Sequence, residues 1–416
     1  MRTRTAGLLA GTALGLAACG QAGAAAGDID RIDRDLADHP DTVISETAAG
    51  FDAFGFALLD ELMAGAGEPN VALSPLSAGA ALSLILAGAG GQTAGEIADV
   101  LGVEEDAPAE GEVGALLLEL ADTDDVHLAL ANAVWTTPGY PLTDRFRETA
   151  TGALGASVDE LDLSDVDEVT EIDEWANNRT GGLIDEITEA LGLPRGNAVA
   201  VLANATHFAG TWSTEFDPDD TRDGTFTRDD GSTVTAELME SDDMPAAVAT
   251  AEDGDTLLAR LPYGEDGRFG FEVLLPADGT PVGEALDGLG DQGWSELSEQ
   301  ASEADGLRVV LPRFTVSSEH DLTGPLHELG MRRAFGNGHD FTPMSLENPF
   351  LETVVQKAVV EVDESGTEAA AVTGGVMVES APMLTEVVVD RSFAFAVRDT
   401  ATGAALFLGV VDDPGA

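Results

Sequence analysis

Three kinds of side chain in this sequence could do covalent or coordination chemistry: a single thiol, a pair of closely spaced hydroxyls and six imidazoles. The thiol is Cys19, the only cysteine among 416 residues, so no intrachain disulfide can form. Ser74 and Ser77 stand at the start of an apolar, helix-forming run. A hydrolytic serine needs a base beside it, and neither a G-x-S-x-G elbow nor a Gly-rich phosphate loop occurs. The pair therefore reads as hydrogen-bonding hydroxyls at a helix start. The histidines, at 39, 127, 207, 320, 327 and 339, lack the spacing of metal ligands. No metal, cofactor or catalytic constellation is expected, and the chain does not read as an enzyme.

The elements that must position these residues follow from periodicity. Phe51, Phe54, Leu58 and Leu62 recur at helical spacing, and 76–88 is a second helical run. Segments 132–136, 198–208, 257–262, 269–276, 307–316 and 354–362 read as strands. Further strands at 386–390, 392–397 and 404–411 follow, the last two joined as a hairpin by Thr400-Ala401-Thr402-Gly403. Helices come first and strands dominate later, which points to an α+β fold without a second domain boundary.

The net charge is −58, with Lys357 the one lysine. Apolar residues make up 44%, so the chain can build a core. So acidic a surface stays soluble where salt screens self-repulsion, and a halophilic source is inferred. It also argues against nucleic acid or an anionic membrane surface as a partner. Arg2 and Arg4 precede an apolar run, 6–18, too short to span a bilayer. That run ends in Leu16-Ala17-Ala18-Cys19-Gly20, which looks like a bacterial-type lipobox with Cys19 as lipid acceptor. Residues 21–41 are small, then acidic, and read as a tether. The sequons at Asn178 and Asn204 read as incidental.

Several segments, taken in order, resemble the serpin family of protease inhibitors. They are Asn70-Val71-Ala72-Leu73-Ser74-Pro75-Leu76-Ser77, the Phe208-Ala209-Gly210-Thr211-Trp212 strand end, Leu261-Pro262-Tyr263 and Val273-Leu274-Leu275-Pro276. Leu311-Pro312-Arg313-Phe314, Leu326-His327-Glu328-Leu329-Gly330-Met331 and Phe407-Leu408-Gly409-Val410-Val411 complete the series. Each alone is weak; their joint order over most of the chain carries the resemblance. It implies an α+β fold of three β-sheets, about nine helices and an exposed reactive-centre loop. One position departs. Where the family has His within V-H-K-A, this chain has Gln356 in Val355-Gln356-Lys357-Ala358. The family's His bonds the Asn matched by Asn204, near the serines matched by Ser74 and Ser77, in the region where the sheet opens. Gln can donate and accept, so a bond to Asn204 stays open to it, while the pH sensitivity of an imidazole is lost.

The stretch Glu364-Ser365-Gly366-Thr367-Glu368-Ala369-Ala370-Ala371-Val372-Thr373 matches the family's hinge. The resemblance implies that a target protease cleaves the following loop, forms an acyl-enzyme and is carried along as the loop inserts into the main sheet. Alternation along a strand agrees with insertion. Thr367, Ala369, Ala371, Thr373, Gly375 and Met377 share one face and carry no charge; Glu379 is the first charge of that parity. A charge or proline earlier in this set would stall insertion, because burying an unpaired charge is costly. In most inhibitory members of the family the attacked carbonyl lies fourteen residues after the hinge Gly, so the resemblance implies a scissile bond at Ser380–Ala381, with Glu379–Ser380 as second choice. No Lys or Arg occurs over 358–390, which disfavours trypsin-like targets and leaves subtilisin-like or elastase-like ones. Segment 96–125 lacks Lys and Arg as well, so activation by glycosaminoglycan is not expected.

The expectation is a signal peptide (1–18), a lipidated Cys19 with an acidic tether (19–45) and a serpin domain (46–416). The protein would be secreted, held at the cell surface by lipid, monomeric, and partnered covalently by a serine protease. The alternative is a non-inhibitory serpin acting as a binding or structural protein.

Overall fold

The hairpin expected around 400–403 lies at the centre of the molecule, and both its strands are buried throughout. The computed structural model describes residues 31–65, 69–123, 126–367 and 386–416. In chain order the elements are α1 (Asp41–Gly65), β1 (Asn70–Leu73), α2 (Pro75–Ala87), α3 (Gly91–Leu101), α4 (Ala107–Glu110), α5 (Glu112–Ala121), β2 (His127–Thr136), α6 (Asp144–Glu148), β3 (Ser157–Glu160), α7 (Val166–Arg179) and β4 (Ala200–Thr211). They continue with β5 (Arg222–Thr227), β6 (Thr233–Thr250), β7 (Leu257–Pro262), β8 (Phe269–Leu275), α8 (Val282–Gln300), β9 (Ser302–Pro312), β10 (Phe314–Asp321), α9 (Thr323–Leu329), β11 (Val355–Val362), β12 (Gly366–Thr367), β13 (Glu386–Val388), β14 (Phe393–Asp399) and β15 (Ala405–Val411).

Among the described residues these form the α+β fold that the resemblance implied, with three sheets and nine α-helices. The largest sheet runs β1-β15-β14-β8-β7-β6-β9-β13, with β5 on β6. Strands β8, β14 and β15 are buried on both faces because helices or other strands cover each side. The second sheet runs β12-β4-β2-β3, and the third is the pair β10-β11.

Phe51, Phe54, Leu58 and Leu62 line the buried face of α1, as their spacing requires. Helix α2 is apolar all round and sits in the interior, beneath β4 and β11. The segment expected to be one strand, 307–316, is two: β9 and β10 break at Arg313 and enter different sheets. The acidic tether expected to reach residue 45 is folded from Arg31 onward. Ile32 and Ala37 are buried, the Asp33 amide donates to the Gly152 carbonyl at 2.7 Å, and α1 starts at Asp41. These two apolar side chains were too few to show a period in the sequence.

Candidate functional site

Strands β4 and β11 flank a gap. Each pairs on its outer side, β4 with β2 and β11 with β10, and no ladder joins the two among the described residues. A cavity of about 790 Å³ lies between them. Leu202, Asn204 and Thr206 form one wall and Val355 to Val359 the other. Ser77 and Ala78 of α2 close one side, and Trp175 of α7 with Ile184 and Ile187 closes the other. Along β4 the odd residues Val201 and Ala203 are buried with Trp135 and Ile172, so the even residues face α2. Two facing strand edges with unpaired backbone groups make a template for one more strand.

That strand has begun to form. After β11 the chain turns through Asp363–Gly366, closed by reciprocal main-chain bonds between Asp363 and Gly366 of 2.9 and 3.3 Å. It then pairs antiparallel with the end of β4, Gly366 opposite Thr211 and Thr367 opposite Gly210. Gly366 has a φ of 150°, and a Cβ there would meet the Gly210 carbonyl at 2.0 Å, so only glycine fits. Trp212 fixes the turn through two bonds of 2.9 Å, its amide to the Ser365 carbonyl and its indole N–H to the Asp363 carbonyl. The Tyr263 ring stacks on Trp212 with centroids 4.6 Å apart. Thr367 is buried, its hydroxyl 2.6 Å from the Tyr263 hydroxyl. Burial pushes the Tyr263 phenol well above its ordinary pKa, against the smaller opposing effect of the Thr367 bond, so it stays neutral. Glu364 accepts from the Thr221 hydroxyl at 2.6 Å and lies 3.8 Å from the Arg313 guanidinium.

The middle of the gap holds a polar cluster. Ser74 caps α2: its Oγ accepts from the Ser77 amide at 3.1 Å and donates to the Leu406 carbonyl at 2.6 Å. Gln356 clamps the same residue, accepting from the Ser74 amide at 3.1 Å and donating to its carbonyl at 2.8 Å. Asn204, across the gap, donates to Asn132 Oδ1 at 2.9 Å and accepts from the Thr206 hydroxyl at 3.0 Å. The Gln356–Asn204 bond left open by the sequence is therefore not made. Both Gln356 hydrogen-bonding groups are spent on Ser74, and the gap separates the two side chains. His320 lies directly opposite Gln356 on β10 and pairs through Nε2 with the Ala72 carbonyl at 3.0 Å. Burial lowers its pKa, with the Ala72 bond opposing. An imidazole thus stands one strand away from the family's expected place.

The site residues named from the sequence fall into two groups. Ser74, Ser77, Asn204, Gln356, Glu364, Gly366 and Thr367 converge on the gap. Glu368, Ala369, Ala370, Ala371, Val372, Thr373, Glu379, Ser380 and Ala381 lie outside the described residues, as does Cys19. Sequence reading missed Trp212 and Tyr263 as the cradle of Thr367, and His320 as the partner of Gln356. The two aromatics stand inside quoted motifs, but nothing local says what they touch. The described residues contain no cluster of metal-ligating groups.

Comparison with known proteins agrees with this geometry. A family model described as serpin (serine protease inhibitor) matches residues 49–414. Serpin-ZXA of Oryza sativa subsp. japonica is 33% identical over 383 residues, covering 84% of this chain and 92% of the rice protein. Neuroserpin of Gallus gallus is 30% identical over 391 residues, covering 91% and 92% respectively. The solved structure of a cleaved serpin, 42Da, superposes with a TM-score of 0.79 at 24% identity, covering 89% of this chain and 99% of that one.

Proposed function

We propose that this chain, which belongs to the serpin family, is a suicide inhibitor of a serine protease with a subtilisin-like or elastase-like preference. Members of the family are in general protease inhibitors rather than enzymes. The observation that carries the finer reading is the seat of Thr367: the first residue of the inward-facing set is already paired in the gap and buried. Continuing the β12–β4 register lays Ala369, Ala371 and Thr373 opposite Phe208, Thr206 and Asn204, and Met377 opposite Ala200, where β4 begins. All are uncharged, so no unpaired charge would be buried over the length of β4. The metastable element is the sheet pair itself, which gains a central strand when the loop is cut.

Cleavage between Ser380 and Ala381 would leave the protease acylated on Ser380, just beyond the end of the new strand. Small, acidic and apolar residues around that bond support targets other than trypsin-like ones. In this reading the protein is a secreted lipoprotein of a halophilic prokaryote. It would be monomeric, held at the cell surface through Cys19, which replaces a target's freedom of approach by a fixed address.

The test mixes the purified chain with subtilisin-like and elastase-like proteases, followed by denaturing gels and mass spectrometry. A covalent complex that survives denaturation, with a released peptide starting at Ala381, is the expected result. Clean cleavage without complex for every protease tried would place the chain with non-inhibitory relatives.

A further inference from the structure

The connection between α9 and β11 is closed on itself by one side chain. His339 has both ring nitrogens on main-chain carbonyls, Nδ1 2.9 Å from the Gly336 oxygen and Nε2 3.2 Å from the Asn348 oxygen. A carbonyl oxygen can only accept, so each bond needs a proton on the nitrogen. A neutral imidazole carries one N–H and would turn the lone pair of its other nitrogen on a carbonyl oxygen; the imidazolium makes both bonds. The rings of Phe341 and Phe350 pack against His339, with centroids 6.4 and 6.1 Å away, and limit its freedom to swing out. Asn348 is the only non-glycine with a positive φ among the described residues, at 49°, a conformation that Asn tolerates better than most. Its Oδ1 accepts from the Phe341 amide at 2.7 Å, and its amide donates to the Ser345 carbonyl at 2.9 Å. Inside the closed loop, the Met344 amide donates to the Gly88 carbonyl at the end of α2, at 3.1 Å. Just beyond the loop, Phe350 and Leu351 line the far end of the gap, and β11 begins at Val355.

We infer that His339 is a proton-operated clasp: as imidazolium it fastens the 336–348 loop at both ends, and on losing its proton it lets go of one. The freed end loosens the lead-in to β11, which is one wall of the gap. His339 is the only side chain of the loop whose ordinary titration falls near neutrality. Asp340, next in the chain, is held below the ordinary carboxylate range by two bonds from Thr342, of 2.6 and 3.1 Å, with the charge of His339 adding to them. Arg333, whose guanidinium stands beside Gly338, is paired with Glu96 of α3 at 3.2 Å, and Glu347 lies within the loop. The second bond of the clasp exists only while the ring carries its proton. Its contribution is therefore complete below the ordinary imidazole value of about 6.5 and is lost as the pH rises through the imidazole range. This is the opposite sense to His320, which burial disposes to stay neutral. On the insertion reading above, the gap parts more readily as the pH rises.

Both measurements use the intact, unreacted chain. In the isotope-labelled protein at about pH 5.5, NMR should show two ring N–H groups on His339, and by about pH 8 only one. A single ring N–H at the lower pH would overturn the clasp, and this reading needs no variant to fold. His339→Phe keeps a ring against Phe341 and Phe350 and removes both donors. It is compared with the parent in urea at the same two pH values, in a His320→Gln background that removes the opposing dependence. At about pH 5.5 it should lower the folding equilibrium by about tenfold more than at about pH 8, the size of one charge-assisted hydrogen bond. An equal loss at both pH values would mean that the ring only packs, and would overturn the clasp. Neither result depends on trapping. A chain that traps no protease and still shows the pH-dependent loss upholds the clasp and counts against the insertion reading alone.

Discussion

The hydroxyls of Thr367 and Tyr263 lie 2.6 Å apart in a buried setting, one at the start of the hinge and the other on the strand end that stacks against Trp212. In the proposed insertion, this contact would set the parity of the strand that follows it. It also makes the hinge sensitive to size and charge at one position.

In the proposed insertion mechanism, Thr367→Arg should turn trapping into simple cleavage. A guanidinium at that place must either enter a buried pocket lined by Tyr263 or hold the strand out of the gap. An unpaired buried charge costs several kcal/mol, enough to slow insertion well below deacylation. The number of inhibitor molecules cut per protease trapped should rise by about tenfold or more. Thr367→Val, which fits the pocket, should trap nearly as well as the parent. Equal trapping by the Arg variant would remove the insertion argument.

Gln356→Ala should weaken the clamp between β11 and the start of α2. It leaves the buried Ser74 amide unmet, which is worth about 1–3 kcal/mol, while the Ser74 carbonyl keeps the Ala78 amide at 3.0 Å. Stability of the intact form should fall by roughly 1–3 kcal/mol in urea, a range set by that amide. Spontaneous insertion of the uncut loop, read as loss of inhibitory activity on standing, should quicken. A variant as stable and as slow to inactivate as the parent would show that the clamp is incidental.

Much of this was legible in the sequence where the physics is local. The helical spacing of Phe51, Phe54, Leu58 and Leu62 could mean only one buried face, and Pro75 after Ser74 marks a helix start. The hinge motif placed Thr367 at the start of the inward set, and that residue is buried; the rest of the set lies outside the described residues. What was not legible depends on partners far along the chain. Gln356 carries no mark that it bonds Ser74, 282 residues away, instead of Asn204. The break between β9 and β10 at Arg313 is also silent, because both halves alternate well and only the sheet they join differs. Strands β5 and β6 were missed because acidic residues interrupt their alternation on an exposed face.

His320 restores a pH dependence that Gln356 had seemed to remove. Its folded pKa is lowered by burial, so the unfolded chain takes up the proton more readily than the folded one. Stability is therefore full above the ordinary imidazole value of about 6.5 and falls as pH drops from there through the lowered folded value. His320→Gln should flatten this part of the curve. Denaturation in urea at a series of pH values between about 7 and 5 makes the check. An unchanged pH slope in the variant would assign the dependence to other groups.

The buried ion cluster behind β14 should behave differently from the acidic surface when salt is varied. Arg398 pairs with Asp52 of α1 and lies 3.9 Å from Glu272 of β8; Glu272 also accepts from the Trp294 indole at 2.7 Å. All three charged residues are almost fully buried. Burial raises the Asp52 pKa, with Arg398 the strongest opposing influence. Removing the cation alone, as in Arg398→Met, leaves the buried Asp52 carboxylate without its cation, while Glu272 keeps Arg260 at 3.7 Å, and should cost about 3–5 kcal/mol. Adding Asp52→Asn to that variant should recover part of the loss, since the stranded charge is then gone. Surface repulsion in a chain of net charge −58 weakens as salt rises, whereas a dry pair is screened far less. The gap in stability between parent and Arg398→Met should therefore stay nearly constant from low to high salt, even as both chains shift together. A gap that closes with salt would mean that solvent reaches the cluster and that Arg398 acts as one more surface charge.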